Sequence, residues 1–120
     1  MATNEVYKDA KQIQLTVGAS VAARSPVVVG QLAGVALTAT ASSGTQIATV
    51  ALEGVFNLSC KGITAGGGNG AIAQGDIIYY VPAQTPKLSK YSDGASAVRF
   101  GIALAAVNSG ATTTIPVRIG

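Results

Sequence analysis

The sequence has no histidine and no tryptophan, a single cysteine, aromatic residues at 5% and charged residues at 11%. Without histidine it lacks the side chain most used as a general base and metal ligand near neutral pH. One cysteine, Cys60, excludes an intrachain disulfide and fits a chain folded in a reducing compartment. An average soluble domain is about 25% charged, so this surface must be covered by Ser, Thr, Ala, Gly, Asn and Gln, or by other protein. Long apolar runs are also missing: Val27–Val29 is followed at once by Gly30 and Gln31, far short of a membrane span. The opening MATNEVYKDAKQ is polar and mixed in charge, unlike a signal or transit peptide, and the expectation is a soluble protein made in the cytoplasm.

The net charge of +3 and the pI near 9.3 come from few charges, and no two basic residues are adjacent. A nucleic-acid reader concentrates Lys and Arg on one face and interleaves aromatics. A small basic nucleic-acid-binding β-barrel module is therefore the alternative reading, motivated by the pI alone. The acids Glu5, Asp9, Glu53, Asp76 and Asp93 are isolated from one another. Asp76 and Asp93 sit beside glycines, where turn roles are expected. Cys60 has no nearby cation on its own face to activate it as a nucleophile. Gly68-Asn69-Gly70-Ala71-Ile72-Ala73 has the letters of a dinucleotide fingerprint, but a β-rich run follows where that fingerprint requires a helix. No catalytic residue, metal site, cofactor or small-molecule ligand is expected, and an enzyme would have to assemble its site from Glu53, Asp76 or Asp93.

What is present is alternation. From Thr49 to Lys61, Val50, Leu52, Phe56, Leu58 and Cys60 share one parity against Thr49, Glu53, Asn57, Ser59 and Lys61. A period of two predicts a strand with one buried face, and Gly54 predicts a bend within it. The expectation is one long, bent central strand with Cys60 buried. Gln12–Val17 alternates as a first strand; Val27–Val29, Val35–Thr38 and Ile77–Val81 follow as short ones, the last stopped by Pro82. Residues 62–75 carry six glycines and read as a surface loop, and residues 83–97 as an extended loop crossing the outside. Val98–Val107 and Thr112–Ile119 form a hairpin around Asn108-Ser109-Gly110, with one helical turn at Leu104–Val107 as an alternative. Pro116 places the last strand at an edge or a bulge. Six to eight short strands predict an all-β, small single-domain β-barrel or β-sandwich.

The strings PVVVGQLAGVALTAT (26–40), ATVALEGVFNLSCKG (48–62), GDIIYYV (75–81) and RFGIALAAVNSGATTTIPVRIG (99–120), with the opening ATNEVYKDAKQI (2–13), resemble the tailed-phage capsid cement, or head decoration, proteins. The resemblance covers nearly the whole chain in order. It implies a β-tulip-like domain over residues 12–120 and an extended N-terminal arm over residues 1–11. It also implies a non-enzymatic virion protein on the capsid exterior, bound to the major capsid protein as a homotrimer and bracing contacts between its subunits. Nucleic acid and membrane are not expected partners. The arm residues Thr3, Asn4, Glu5, Val6, Tyr7 and Lys8 are the implied capsid contacts, adding a strand to an exposed sheet edge.

Overall fold

The computed structural model describes residues 11–41, 46–64, 68–82, 86–91 and 97–120. The arm residues Thr3 to Lys8, and Asp93, lie outside the described residues. Among those described there is no helix. Nine strands follow one another: β1 (Gln12–Thr16), β2 (Pro26–Val29), β3 (Leu32–Ala36), β4 (Ile47–Ala51), β5 (Gly54–Lys61), β6 (Ile77–Tyr80), β7 (Leu88–Ser89), β8 (Val98–Ala103) and β9 (Thr112–Ile119). The all-β expectation holds, and both architectures it named are realised in part. A four-stranded antiparallel sheet runs β1-β4-β3-β2, and a closed barrel runs β5-β7-β6-β8-β9.

The expected single strand from Thr49 to Lys61 is two strands. β4 belongs to the sheet and β5 to the barrel, and the chain changes partner across Leu52 and Glu53. Gly54 makes the break possible: its φ of 128° lies in the left-handed half of backbone space, which costs a side-chain-bearing residue dearly. Parity survives within β5, where Leu58 and Cys60 are buried and Val55, Asn57 and Ser59 are exposed. β5 pairs along all of its length with β9, from Gly54 opposite Ile119 to Lys61 opposite Thr112, and this ladder is the spine of the barrel.

Three further expectations are corrected. Residues 83–97 do not merely cross the outside, because Leu88 and Ser89 are fully buried as β7, parallel to β5 and antiparallel to β6. The segment 62–75 is not simply a surface loop: Ile72 is 1% exposed and bridges Val107, which also rules out a helical turn there. Pro116 lies within the closed barrel wall and not on an edge strand, on β9 opposite Asn57. Its carbonyl accepts from the Leu104 N–H at 2.9 Å, so its ring nitrogen faces the same side, where β8 has already ended at Ala103. The missing N–H therefore falls just beyond the last β8 pair, Ala103 with Val117, where it interrupts no bond between the two strands.

The main core fills the barrel with Leu58, Cys60, Ile72, Ile78, Leu88, Phe100, Val107, Ile115, Val117 and Ile119. Val35 from the sheet belongs to the same cluster, and Val28 and Ala33 pack on it alongside Phe56 and Tyr80. These barrel partners lie where β5 begins and β9 ends, so one face of the sheet closes that mouth of the barrel. The Tyr80 and Phe100 rings stack there with centroids 6.4 Å apart. The opposite face of the sheet carries a second, smaller core of Val27, Ala36, Ala48 and Val50, flanked by Leu15, Val17, Val21 and Leu52. Burial of each such aliphatic side chain contributes about 1.5–3 kcal/mol.

Candidate interaction surface

Among the described residues, Cys60 is buried and Asp76 and Glu53 are held in local ion pairs. Cys60 is fully buried in the barrel, and burial pushes its thiol up to about 12, which keeps it protonated and inert. The Asp76 carboxylate accepts from the Ala73 N–H at 2.7 Å and pairs with the Lys90 ammonium at 3.0 Å. The backbone hydrogen bond first, and Lys90 second, hold its pKa below the usual carboxylate value. Lys90 follows β7 directly, and its own N–H donates to the Ile63 carbonyl at 3.1 Å. The pair thus ties the short stave β7 to the segment entering β6. Glu53 pairs with Lys11 at 3.6 Å on the surface. Among the described residues no group of three or more His, Cys, Asp or Glu lies together as a metal would require.

This arrangement predicts an acid dependence. A carboxylate whose pKa falls on folding stabilises the fold above its unfolded value of 3.8, and that stabilisation is lost as pH falls through the folded value. Asp76→Asn should lower the urea midpoint at about pH 6, and the gap to the parent should close as pH drops well below about 4. A gap independent of pH would show that charge at Asp76 contributes nothing.

The sheet has two open edges, and they differ. At β2 the edge is guarded. Arg24 (φ 68°) donates its N–H to the Ala36 carbonyl at 2.6 Å, while the Ala36 N–H donates to the Ser25 carbonyl at 2.9 Å. Two residues oppose one, a bulge that ends the strand, and it turns the backbone of Pro26 and Val28 outward. Proline has no N–H to offer there, so the edge is blunted.

At β1 the edge is bare. Leu52 donates to the Lys11 carbonyl at 2.7 Å and Val17 donates to the Gln46 carbonyl at 3.0 Å, fixing the odd-numbered residues as the bonded partners of β4. Gln12, Gln14 and Thr16 therefore direct their N–H and C=O groups away from β4, where no described strand lies. No proline, charged side chain or bulge interrupts the five residues. Their Gln and Thr side chains are exposed, while Ile13 and Leu15 are half-buried beneath. Such an edge is a template for one more strand.

Two hollows lie on the described surface. One of about 340 Å³ lies in the seam between the loop 17–25, β2, Tyr80 and Lys87, where the Lys87 ammonium donates to the Pro82 carbonyl at 3.1 Å. The other, about 260 Å³, opens on the outer wall of β8 and β9 between Arg99 and Arg118.

The described residues thus hold a strand edge that no described strand covers, a buried protonated thiol and two carboxylates engaged in local ion pairs. The matching family model is that of the phage cement proteins, over residues 7–119, and the chain belongs to this family. No curated protein and no solved structure matches the chain. Membership gives it a structural role in a phage capsid. Parity and turn residues made β1 and the barrel wall legible in sequence. The contrast between the β1 and β2 edges depends on strand order, which no local pattern encodes.

Proposed function

We propose that this protein binds the outer surface of a phage head and braces contacts between major capsid subunits, without catalysis. The observation that carries the reading is the bare β1 edge, which begins at Gln12, directly after the segment expected to act as an arm. In this reading residues 1–11 form the arm, residues 12–120 the decorating domain, and Thr3, Asn4, Glu5, Val6, Tyr7 and Lys8 meet the capsid. An extended capsid segment seated beside β1 gains main-chain hydrogen bonds from three outward-facing residues. Copies stand as homotrimers on the capsid exterior, as the sequence resemblance implies. Many copies on one rigid lattice turn modest contacts into substantial bracing.

Deletion of residues 2–10 tests it. Occupancy on heads lacking this protein should fall at least tenfold, while circular dichroism and melting of the domain stay unchanged. Equal occupancy would remove the arm from the mechanism. Binding of the parent chain to duplex DNA with a steep salt dependence, and none to heads, would favour the nucleic-acid alternative.

A further inference from the structure

Resting on the cement reading, a second contact surface follows from the outer wall of the barrel. Val55 pairs with Arg118, Arg118 with Ile102, and Ile102 with Ile77. Directly paired residues place their side chains on one face, so these four form a single row across β5, β9, β8 and β6. Val55 is 53% and Ile77 38% exposed, two of the four large apolar side chains found exposed among the described residues. Beside the row Arg99 pairs with Tyr79.

Strict alternation along β8 would send Arg99 and Ile102, three apart, to opposite faces. The ladder to β6 removes the conflict: Ile78 faces Gly101 and the next residue, Tyr79, faces Arg99, so Phe100 is an extra residue without a partner. This bulge turns Phe100 into the core at 4% exposure and re-aims Arg99 to the side of Ile102. Bulges of this kind commonly re-aim a side chain near a functional surface. Arg99 and Arg118 then flank one hollow floored by Gly101 and Ile102. The ion pairs among the described residues are made by Lys11 with Glu53 and by Lys90 with Asp76, and neither arginine joins them.

We propose that this wall docks a protein segment that carries carboxylates between apolar side chains, supplied by a capsid subunit. Charge decides the occupant. A second copy meeting this patch across a twofold axis would bring two arginines against two. A neighbour about a threefold axis would offer Glu53 and Asp76, described acids already paired with Lys11 and Lys90, whereas an acidic capsid segment satisfies both arginines. Arginine suits the role because its planar fork binds a carboxylate through two hydrogen bonds. Nucleic acid is disfavoured because two arginines make no cationic track along a phosphate backbone, and the row beside them (Val55, Ile102 and Ile77) is aliphatic, with Tyr79 alone offering a ring next to it. Bracing two subunits requires two contacts on the bracing protein. The β1 edge lies on the sheet, and the arginine wall supplies the second on the barrel.

The test uses the full chain and heads lacking this protein. Arg99→Glu with Arg118→Glu should weaken head binding at least tenfold and remove or reverse its weakening by salt, with melting unchanged because both side chains are exposed. Arg99→Lys with Arg118→Lys should retain most of the affinity. Val55→Ser with Ile77→Ser should weaken binding severalfold while preserving the salt dependence. Parent binding to heads that is unaltered by the double reversal overturns this inference and leaves the cement reading standing. Failure of the parent itself to bind heads overturns both. Salt-dependent DNA binding lost in the double reversal would assign the wall to nucleic acid instead.

Discussion

Leu88→Ala is expected to destabilise the fold by about 3 kcal/mol and to lower its melting temperature by about 12 °C. Leu88 is completely buried, and it sits on a strand only two residues long. β7 is nevertheless the stave between β5 and β6: Leu88 faces Cys60 on one side and Tyr80 on the other. Outside the ladders, the Val81 N–H donates to the Lys87 carbonyl at 2.8 Å and Lys90 donates to Ile63. With so few hydrogen bonds available, side-chain burial must hold the stave in place. Truncation removes that burial and leaves a cavity against Cys60, which cannot expand to fill it. A loss below about 1 kcal/mol, measured by urea denaturation, would mean that the barrel closes without β7.

That stave also marks where sequence patterning stops being informative. β1, β5 and β9 were legible because five to eight residues of alternation leave few other arrangements. Leu88 and Ser89 offer two residues within a polar, turn-rich stretch, too few to establish any period. Ile72 was hidden for a similar reason: glycines around it signalled a loop, and its burial depends on a bridge to Val107, 35 residues away in the chain. The change of sheet at Leu52–Gly54 left parity intact on both sides, so alternation alone predicted one strand where there are two. At Phe100 the reverse occurred, a bulge altering parity without any glycine or proline at the bulged residue itself. Of the interaction surfaces, the edge residues Gln12, Gln14 and Thr16 were read as polar strand positions. Their exposed backbone followed only from knowing that β1 lies last in its sheet.

Gly62→Val carries the other large expected effect, again about 3 kcal/mol, at the top of the usual range for overpacking. Gly62 ties the two segments that close the far mouth of the barrel. Its carbonyl accepts from the Gly70 N–H at 3.0 Å and from the Gly110 N–H at 2.9 Å, and its own N–H donates to the Ala111 carbonyl at 2.9 Å. A β-carbon there would collide with the Asn108 carbonyl and would approach Gly70 O at 3.0 Å and Gly110 N at 3.1 Å. All three neighbours are backbone atoms, so no side chain can swing aside, and the two segments must separate. Gly68 is the matched control, since a β-carbon at that position meets nothing within 4 Å and its backbone is not left-handed. Gly68→Ala should be neutral or stabilise by up to about 1 kcal/mol through a less flexible unfolded chain. Comparing the two variants by thermal melting separates close approach from mere glycine content. If both prove neutral, the segment 62–75 is a free surface loop after all; if Gly62→Val alone unfolds the protein, the glycines there serve packing at the barrel mouth.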